Sequence, residues 1–220
     1  MHVHALDTHT PHYHNESHAA WFPDGKVGNR PEAPFDARDQ DWLSAEYDSS
    51  LAYADTEIAK LFAALEERGV LENTVIVFAA DHGELLGEDG ESRLHPADGF
   101  TDQQLHTPLI IAGPGVPGGR RIDALTENTD ILPTLCELAG VNTAAAFHGN
   151  SLATLIRADT PQPVRDYVFS RIGDYAPWAV LLNRDYKYVD PRRNGTGEGF
   201  ATPDRLGAPR GTGRPPPLVC

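Results

Sequence analysis

The sequence predicts an α/β fold, with a central, mostly parallel sheet and a small antiparallel sheet towards its C-terminal end. Three observations point that way. A long helical pattern leads almost directly into "TVIVFAA" (74–80), a continuous β-branched and aromatic run of the kind found in strands covered on both faces. A second such run, "PLIIAG" (108–113), is followed by the turn-forming "PGVPGG". From Arg165 onward the apolar segments become short and are spaced by turns, which is the pattern of hairpins.

The elements follow in order. Six of the ten histidines fall in the first 18 residues (His2, His4, His9, His12, His14 and His18), a polar arm unless it lines a site. The stretch from Pro23 to Asp41 is rich in turn formers and reads as a surface loop. Leu43, Tyr47, Leu51, Ala54, Ile58, Leu61, Phe62 and Leu65 then recur at three- and four-residue steps, which puts them on one stripe of a helix. Gly69 stands where a left-handed residue would end it. After the two apolar runs, Asp130 to Ala139 reads as a short helix, with Thr129 as its cap, Pro133 in its first turn and Gly140 closing it. "NSLATLIR" (150–157) adds a further helix or turn, and "DYVFS", "WAVLLN" and "YKYV" supply the small sheet. The expected division is an α/β domain over 1–163, the small sheet over 164–190, and a disordered tail over 191–220. That tail holds six Gly and six Pro and little to bury.

Composition narrows the function. With 220 residues, 40% of them hydrophobic, the chain can bury a sizeable core. A formal charge of -14, without a Lys/Arg cluster, excludes a nucleic-acid partner, because neutralising phosphates needs a basic patch. No run approaches the roughly 18 apolar residues that a membrane span requires, and no secretory signal is recognisable, so the chain as given reads as cytoplasmic with no membrane partner. Cys136 lies in a predicted helix and Cys220 is terminal, which does not make a stapled framework.

The chemistry concentrates at one strand end. In open α/β sheets ligands bind beyond the carboxyl ends of the strands. "VIVFAADHGE" (75–84) places Asp81 and His82 there, with Gly83 to allow the backbone to turn. Asp offers a hard oxygen and His an imidazole nitrogen, a pair suited to several divalent ions. A polar turn after a buried strand is the alternative reading of the same residues.

A longer pattern bears on that choice. "YDSSLAYADTEIAKLFAALEERGVLENTVIVFAADHGELLGEDG", then "LHTPLIIAGPG", then "TDILPTLCELAGV", and finally "HGNSL" resemble, in order, the sulfatases of the alkaline-phosphatase superfamily. The resemblance runs roughly from Val3 to Val189. It implies a partial alkaline-phosphatase-like sandwich and a metal-dependent hydrolase of sulfate esters. By the same resemblance Asp81 and His82 match two of the family's metal ligands, with calcium as the expected ion and manganese or zinc as alternatives. His9, in "DTHTP", matches a histidine that faces the ester oxygens. His95 falls where many members carry a histidine or lysine, although "GEDG" and "RLHPADG" depart from the usual phrases there. Asp130 reads as a helix-start residue rather than a ligand, and His106 and His148 read as structural.

One family feature does not occur in these residues: the "C/S-x-P-S/T-R" phrase that supplies the nucleophile. The family also draws further metal ligands from a pair of acids on its first strand. The expectation is therefore a C-terminal part of a sulfatase, weak in metal binding and close to inactive alone, whose partner would be the N-terminal half. Its substrate would be a small sulfate or phosphate ester. Two alternatives stay open: a phosphodiesterase or phosphonate monoester hydrolase of the same superfamily, and a non-catalytic, His-rich metal-binding protein.

Overall fold

The computed structural model describes residues 1–9, 16–23, 34–88, 90, 93–94, 101–172, 178–185, 187–191 and 200–202. In chain order the helices are α1 (Ala37–Glu67), α2 (Asp102–Leu105), α3 (Ile131–Leu138) and α4 (Ala153–Arg157). The strands are β1 (Ile76–Ala79), β2 (Leu85–Leu86), β3 (Arg93–Leu94), β4 (Leu109–Ala112), β5 (Val168–Ile172), β6 (Trp178–Leu182), β7 (Lys187–Pro191) and β8 (Phe200–Thr202). They fall into two compact units, one comprising 1–74, 82–96 and 101–107, the other 75–81, 97–100 and 108–220.

In the first unit α1 begins four residues before the expected loop ends. Asp36 explains this: its carboxylate accepts the N–H groups of Arg38 (2.8 Å) and Asp39 (3.0 Å), while the Asp39 carboxylate accepts the N–H of Asp36 (3.0 Å). The first backbone donors, which have no partner within the helix, are thereby satisfied by a capping box written Asp-x-x-Asp. The other end stops as the sequence predicts. Gly69 has φ 64°, its N–H donates to the Glu66 carbonyl (2.8 Å), and the N–H of Val70 donates to that of Leu65 (3.1 Å).

The buried face of α1 differs from the predicted stripe. Trp42, Leu43, Ala45, Glu46, Ser49, Ser50 and Ala54 are buried, whereas Leu51 and Phe62 are exposed. Among the described residues, the N-terminal part of the helix joins a core in which Phe22, Phe35, Trp42, Leu43 and Ala45 pack together. Phe22 meets Trp42 edge-on with ring centroids 5.3 Å apart. Small hydroxyl residues take the place of apolar ones where His18 closes on the helix, its Nδ1 lying 2.9 Å from the Ser49 Oγ. Gly87 is fastened to this core. Gly87 carries φ 86° with Phe35 and Leu43 against it, and its carbonyl accepts the Gln40 side-chain amide (2.8 Å).

In the second unit β1 and β4 pair, and the pairing is antiparallel, Val77 opposite Ile111 and Phe78 opposite Ile110. The class is α/β as expected, but these strands do not run parallel. A continuous apolar run reports that a strand's faces are to be covered and carries no information about its neighbour's direction. One face of β4 is covered: Leu109 and Ile111 pack with Leu152, Leu155 and Ile156 of the α4 region. On the other face Phe78 and Ile110 are exposed.

The small C-terminal antiparallel sheet is present, in the order β5-β6-β7-β8. Its fourth strand, Phe200–Thr202, lies within the stretch expected as a disordered tail, and 203–220 fall outside the described residues. The short helix expected at Asp130 is α3, preceded by a 3-10 turn at Asn128–Asp130. It ends as α1 does: Gly140 has φ 66°, and the N–H groups of Gly140 and Val141 donate to Glu137 and Cys136.

Candidate functional site

The chain leaves β1 through Ala80 and reaches Asp81 and His82, the adjacent pair that the sequence singles out. Asp81 is exposed and belongs to the second unit; His82 is half-buried and belongs to the first. The Nδ1–H of His82 donates to the carbonyl of Gly83 (3.0 Å). That tautomer leaves Nε2 as the ring's acceptor atom, the form in which an imidazole ligates a metal.

Gly83 is required here for a different reason from the one its sequence context suggests. Its φ is not in the left-handed region; instead its backbone lies against residues 103–104. Its N–H donates to the Gln104 carbonyl (2.9 Å), and a Cβ at this position would collide with the carbonyl of Gln103. Thr101 and Gln104 cap the one-turn helix α2 that presents these carbonyls. The polypeptide beyond His82 is thus fixed by close backbone approach rather than by a turn.

In the first unit a half-buried tyrosine of α1 is surrounded by carboxylates. The phenol of Tyr47 is held above its ordinary value of 10.0, first by burial and then by the carboxylates of Glu84 and Asp48. Glu84 is two residues after His82, so this acidic surrounding lies next to the candidate ligand in sequence.

In the second unit Asp81 is approached by a residue that no sequence pattern singles out. The side-chain amide of Asn128 donates to the carbonyl of Ala80 (2.9 Å) and to that of Asp81 (3.3 Å). Asn128 opens the 3-10 turn that ends in Asp130, which is fully buried. The Asp130 carboxylate accepts both guanidinium nitrogens of Arg165 (2.6 Å each) and the N–H groups of Glu127 (2.8 Å) and Asn150 (2.8 Å). Glu127 in turn accepts the N–H of Phe169 (2.7 Å) at β5. Both oxygens of the Asp130 carboxylate are engaged in these contacts, and the residue stands at the start of α3, where the sequence places it. The carboxylate closes the 3-10 turn and makes no cap for α3.

The remaining expected residues stand as follows. His9 is exposed and closes a turn, its N–H donating to the Leu6 carbonyl (3.0 Å). His95 lies outside the described residues. Among the described residues no group of three or more His, Cys, Asp or Glu is arranged to hold a metal ion. Asp81 and His82 are right in kind for a divalent cation and too few in number, since calcium takes about six to eight oxygen ligands and zinc about four ligands. No helix among the described residues is long and apolar enough to cross a membrane.

Comparison with known proteins bears on the whole pattern. The sulfatase family profile matches residues 1–141. The choline-sulfatase of Rhizobium meliloti is 31% identical over 147 residues, covering 65% of this chain and 28% of that protein. The ulvan-active sulfatase of Formosa agariphila is 26% identical over 194 residues, covering 82% of this chain and 38% of that protein. Among solved structures, the phosphonate monoester hydrolase of Silicibacter pomeroyi superposes with a TM-score of 0.66 at 26% identity, over 85% of this chain and 39% of that one. The chain therefore spans well under half the length of each of these relatives. Its fold is that of the alkaline-phosphatase-like α/β hydrolases. With the profile covering more than half of its residues, and with "DHGE" following β1 inside the matched span, this chain belongs to the sulfatase family.

Proposed function

We propose that the chain carries part of the metal site of a hydrolase acting on sulfate esters, and that alone it turns over little or no substrate. The observation that carries this reading is the position of Asp81 and His82. They follow β1 after Ala80, within the span matched by the sulfatase profile, and the Nδ1–H of His82 donates to the Gly83 carbonyl. Asp81 and His82 would hold a divalent cation, calcium first, with manganese or zinc as alternatives. When bound, that ion stabilises negative charge on the non-bridging oxygens of the ester. His9 and His95 are the proposed groups for contacting those oxygens or protonating the departing alcohol, since an imidazole can both donate a hydrogen bond and carry a proton.

The nucleophile phrase "C/S-x-P-S/T-R" is not found in the 220 residues, and the two proposed ligands leave most of a cation's coordination to be filled from elsewhere. An N-terminal sulfatase portion supplying both is the proposed partner. A phosphonate monoester hydrolase is the second reading, favoured by the structural likeness to the Silicibacter pomeroyi enzyme.

The test compares the purified chain, alone and mixed with the N-terminal portion of a sulfatase relative, on an aryl sulfate and an aryl phosphonate monoester. The expectation is no turnover by the chain alone above that of Asp81→Asn, and calcium binding that Asp81→Asn abolishes. Turnover by the chain alone at about 1 per second or faster, the range of ordinary enzymes, would overturn the proposal. Preference for the phosphonate in the mixed sample would select the second reading.

A further inference from the structure

We propose that Asn128 is a positioning residue that sets the direction in which Asp81 leaves β1. This rests on the reading of Asp81 as a metal ligand. The carbonyls of Ala80 and Asp81 belong to the two peptide planes that flank the Asp81 Cα. A donor that binds both carbonyls fixes both planes, and with them the Cα–Cβ direction of the aspartate. Asn128 does this with a single amide nitrogen, at 2.9 and 3.3 Å.

The geometry is useful only if Asn128 is itself held, and it is. Its turn ends in the buried Asp130, which Arg165 grips with both guanidinium nitrogens, and it begins after Glu127, which is fastened to the backbone of β5 through Phe169. Behind it the Thr134 hydroxyl donates to the Asp130 carbonyl (2.6 Å) and accepts the N–H of Leu152 (2.8 Å). Gly149 lets the chain pass against the Thr129 carbonyl, where a Cβ would collide. The outcome is a hydrogen-bonded bracket running from β5 and α4 to the end of β1, and Asn128 is the exposed side chain with which it reaches the Ala80 and Asp81 carbonyls. Partners one step behind a metal ligand typically alter affinity by about 10–100-fold when removed.

Asn is specifically suited to the task. Ala cannot reach the carbonyls, and Asp, nearly isosteric, has no donor and would place negative charge against two carbonyl oxygens. The experiment uses the full 220-residue chain with Asn128→Ala, Asn128→Asp and Asp81→Asn. Two quantities are read: the ¹⁵N order parameters of the Asp81 and His82 amides, which lie in the two clamped peptide planes, and the affinity for Mn²⁺ from the EPR signal of the free ion. Amides of α1 serve as the reference for intact folding.

The expected result is that both Asn128 variants lower the two order parameters from about 0.85 towards about 0.6, leave α1 unchanged, and weaken Mn²⁺ binding about tenfold. Unchanged order parameters in Asn128→Ala overturn the proposal. Lowered order parameters with unaltered Mn²⁺ affinity, while Asp81→Asn abolishes binding, overturn it too but leave Asp81 as a ligand. If Asp81→Asn leaves Mn²⁺ affinity unchanged, the ligand reading itself fails, and the positioning role falls with it.

Discussion

Tyr47 shows how one side chain can report on the carboxylates around it. Its phenol is held above 10.0 by burial and then by Glu84 and Asp48. A group whose folded value lies above its unfolded value contributes stability that is fully present below the unfolded value and is lost as the pH rises through the folded one. Stability should therefore decline from about pH 10 upward, beyond any general alkaline effect. Tyr47→Phe should remove that part of the decline. Urea unfolding at intervals across the alkaline range, for the chain and for Tyr47→Phe, checks this; parallel curves for the two proteins would show that Tyr47 is not the group concerned. Glu84→Gln should move the phenol back only in part, because burial is the larger cause. At the same scale Asp130 and Gly83 illustrate two ways a residue can be essential without touching a substrate. Asp130 is fully buried and satisfied by Arg165 and two backbone N–H groups, and at position 83 glycine alone avoids a backbone collision.

Among the elements, α1 depends on its first turn more than on its length. The helix is 31 residues long, yet among the described residues the cluster it joins is formed by its first turns, which start at the Asp36 cap. Asp36→Ala leaves the N–H groups of Arg38 and Asp39 without their acceptor and should cost about 1 kcal/mol. Chemical denaturation measures the loss, and Asp36→Ser should recover most of it. This cap also marks where the sequence can be read and where it cannot. Gly69 and Gly140 are legible because a glycine directly after a helical stretch is the ordinary left-handed helix end, and both carry the expected φ. The two apolar runs and the three short segments after Arg165 are strands for the same local reason. The start of α1 is hidden because an Asp-x-x-Asp box looks like loop composition in a stretch rich in Pro and Asp. The direction of the β1–β4 pairing is not legible at all, being a property of two distant segments. The pair Asp81–His82 stands out through its place after an apolar run. Asn128 gives no such signal, because its role depends on a fold that brings residue 128 to residue 80.

At the level of the whole molecule two properties oppose each other. The formal charge of -14 keeps copies apart, while the β1–β4 pair presents Phe78 and Ile110 opposite one another, 40% and 59% exposed. A two-stranded pair also has an unpaired edge on each side among the described residues, and an apolar face beside an open edge favours strand-to-strand association. Salt should decide which property prevails. Raising the ionic strength from about 0.1 M to about 1 M shortens the screening length from about 10 Å to about 3 Å, which weakens the repulsion and leaves burial of apolar surface intact. The chain should therefore sediment as a monomer at low salt and as larger species at high salt. Ile110→Lys should keep it monomeric under both conditions. Its effect should be local, because the packed face of β4 is formed by Leu109 and Ile111 and leaves residue 110 on the opposite side. Sedimentation velocity at several protein concentrations separates the cases. Association that persists in Ile110→Lys would place the contact elsewhere, and a monomer at high salt would mean that this face is too small to hold two copies together.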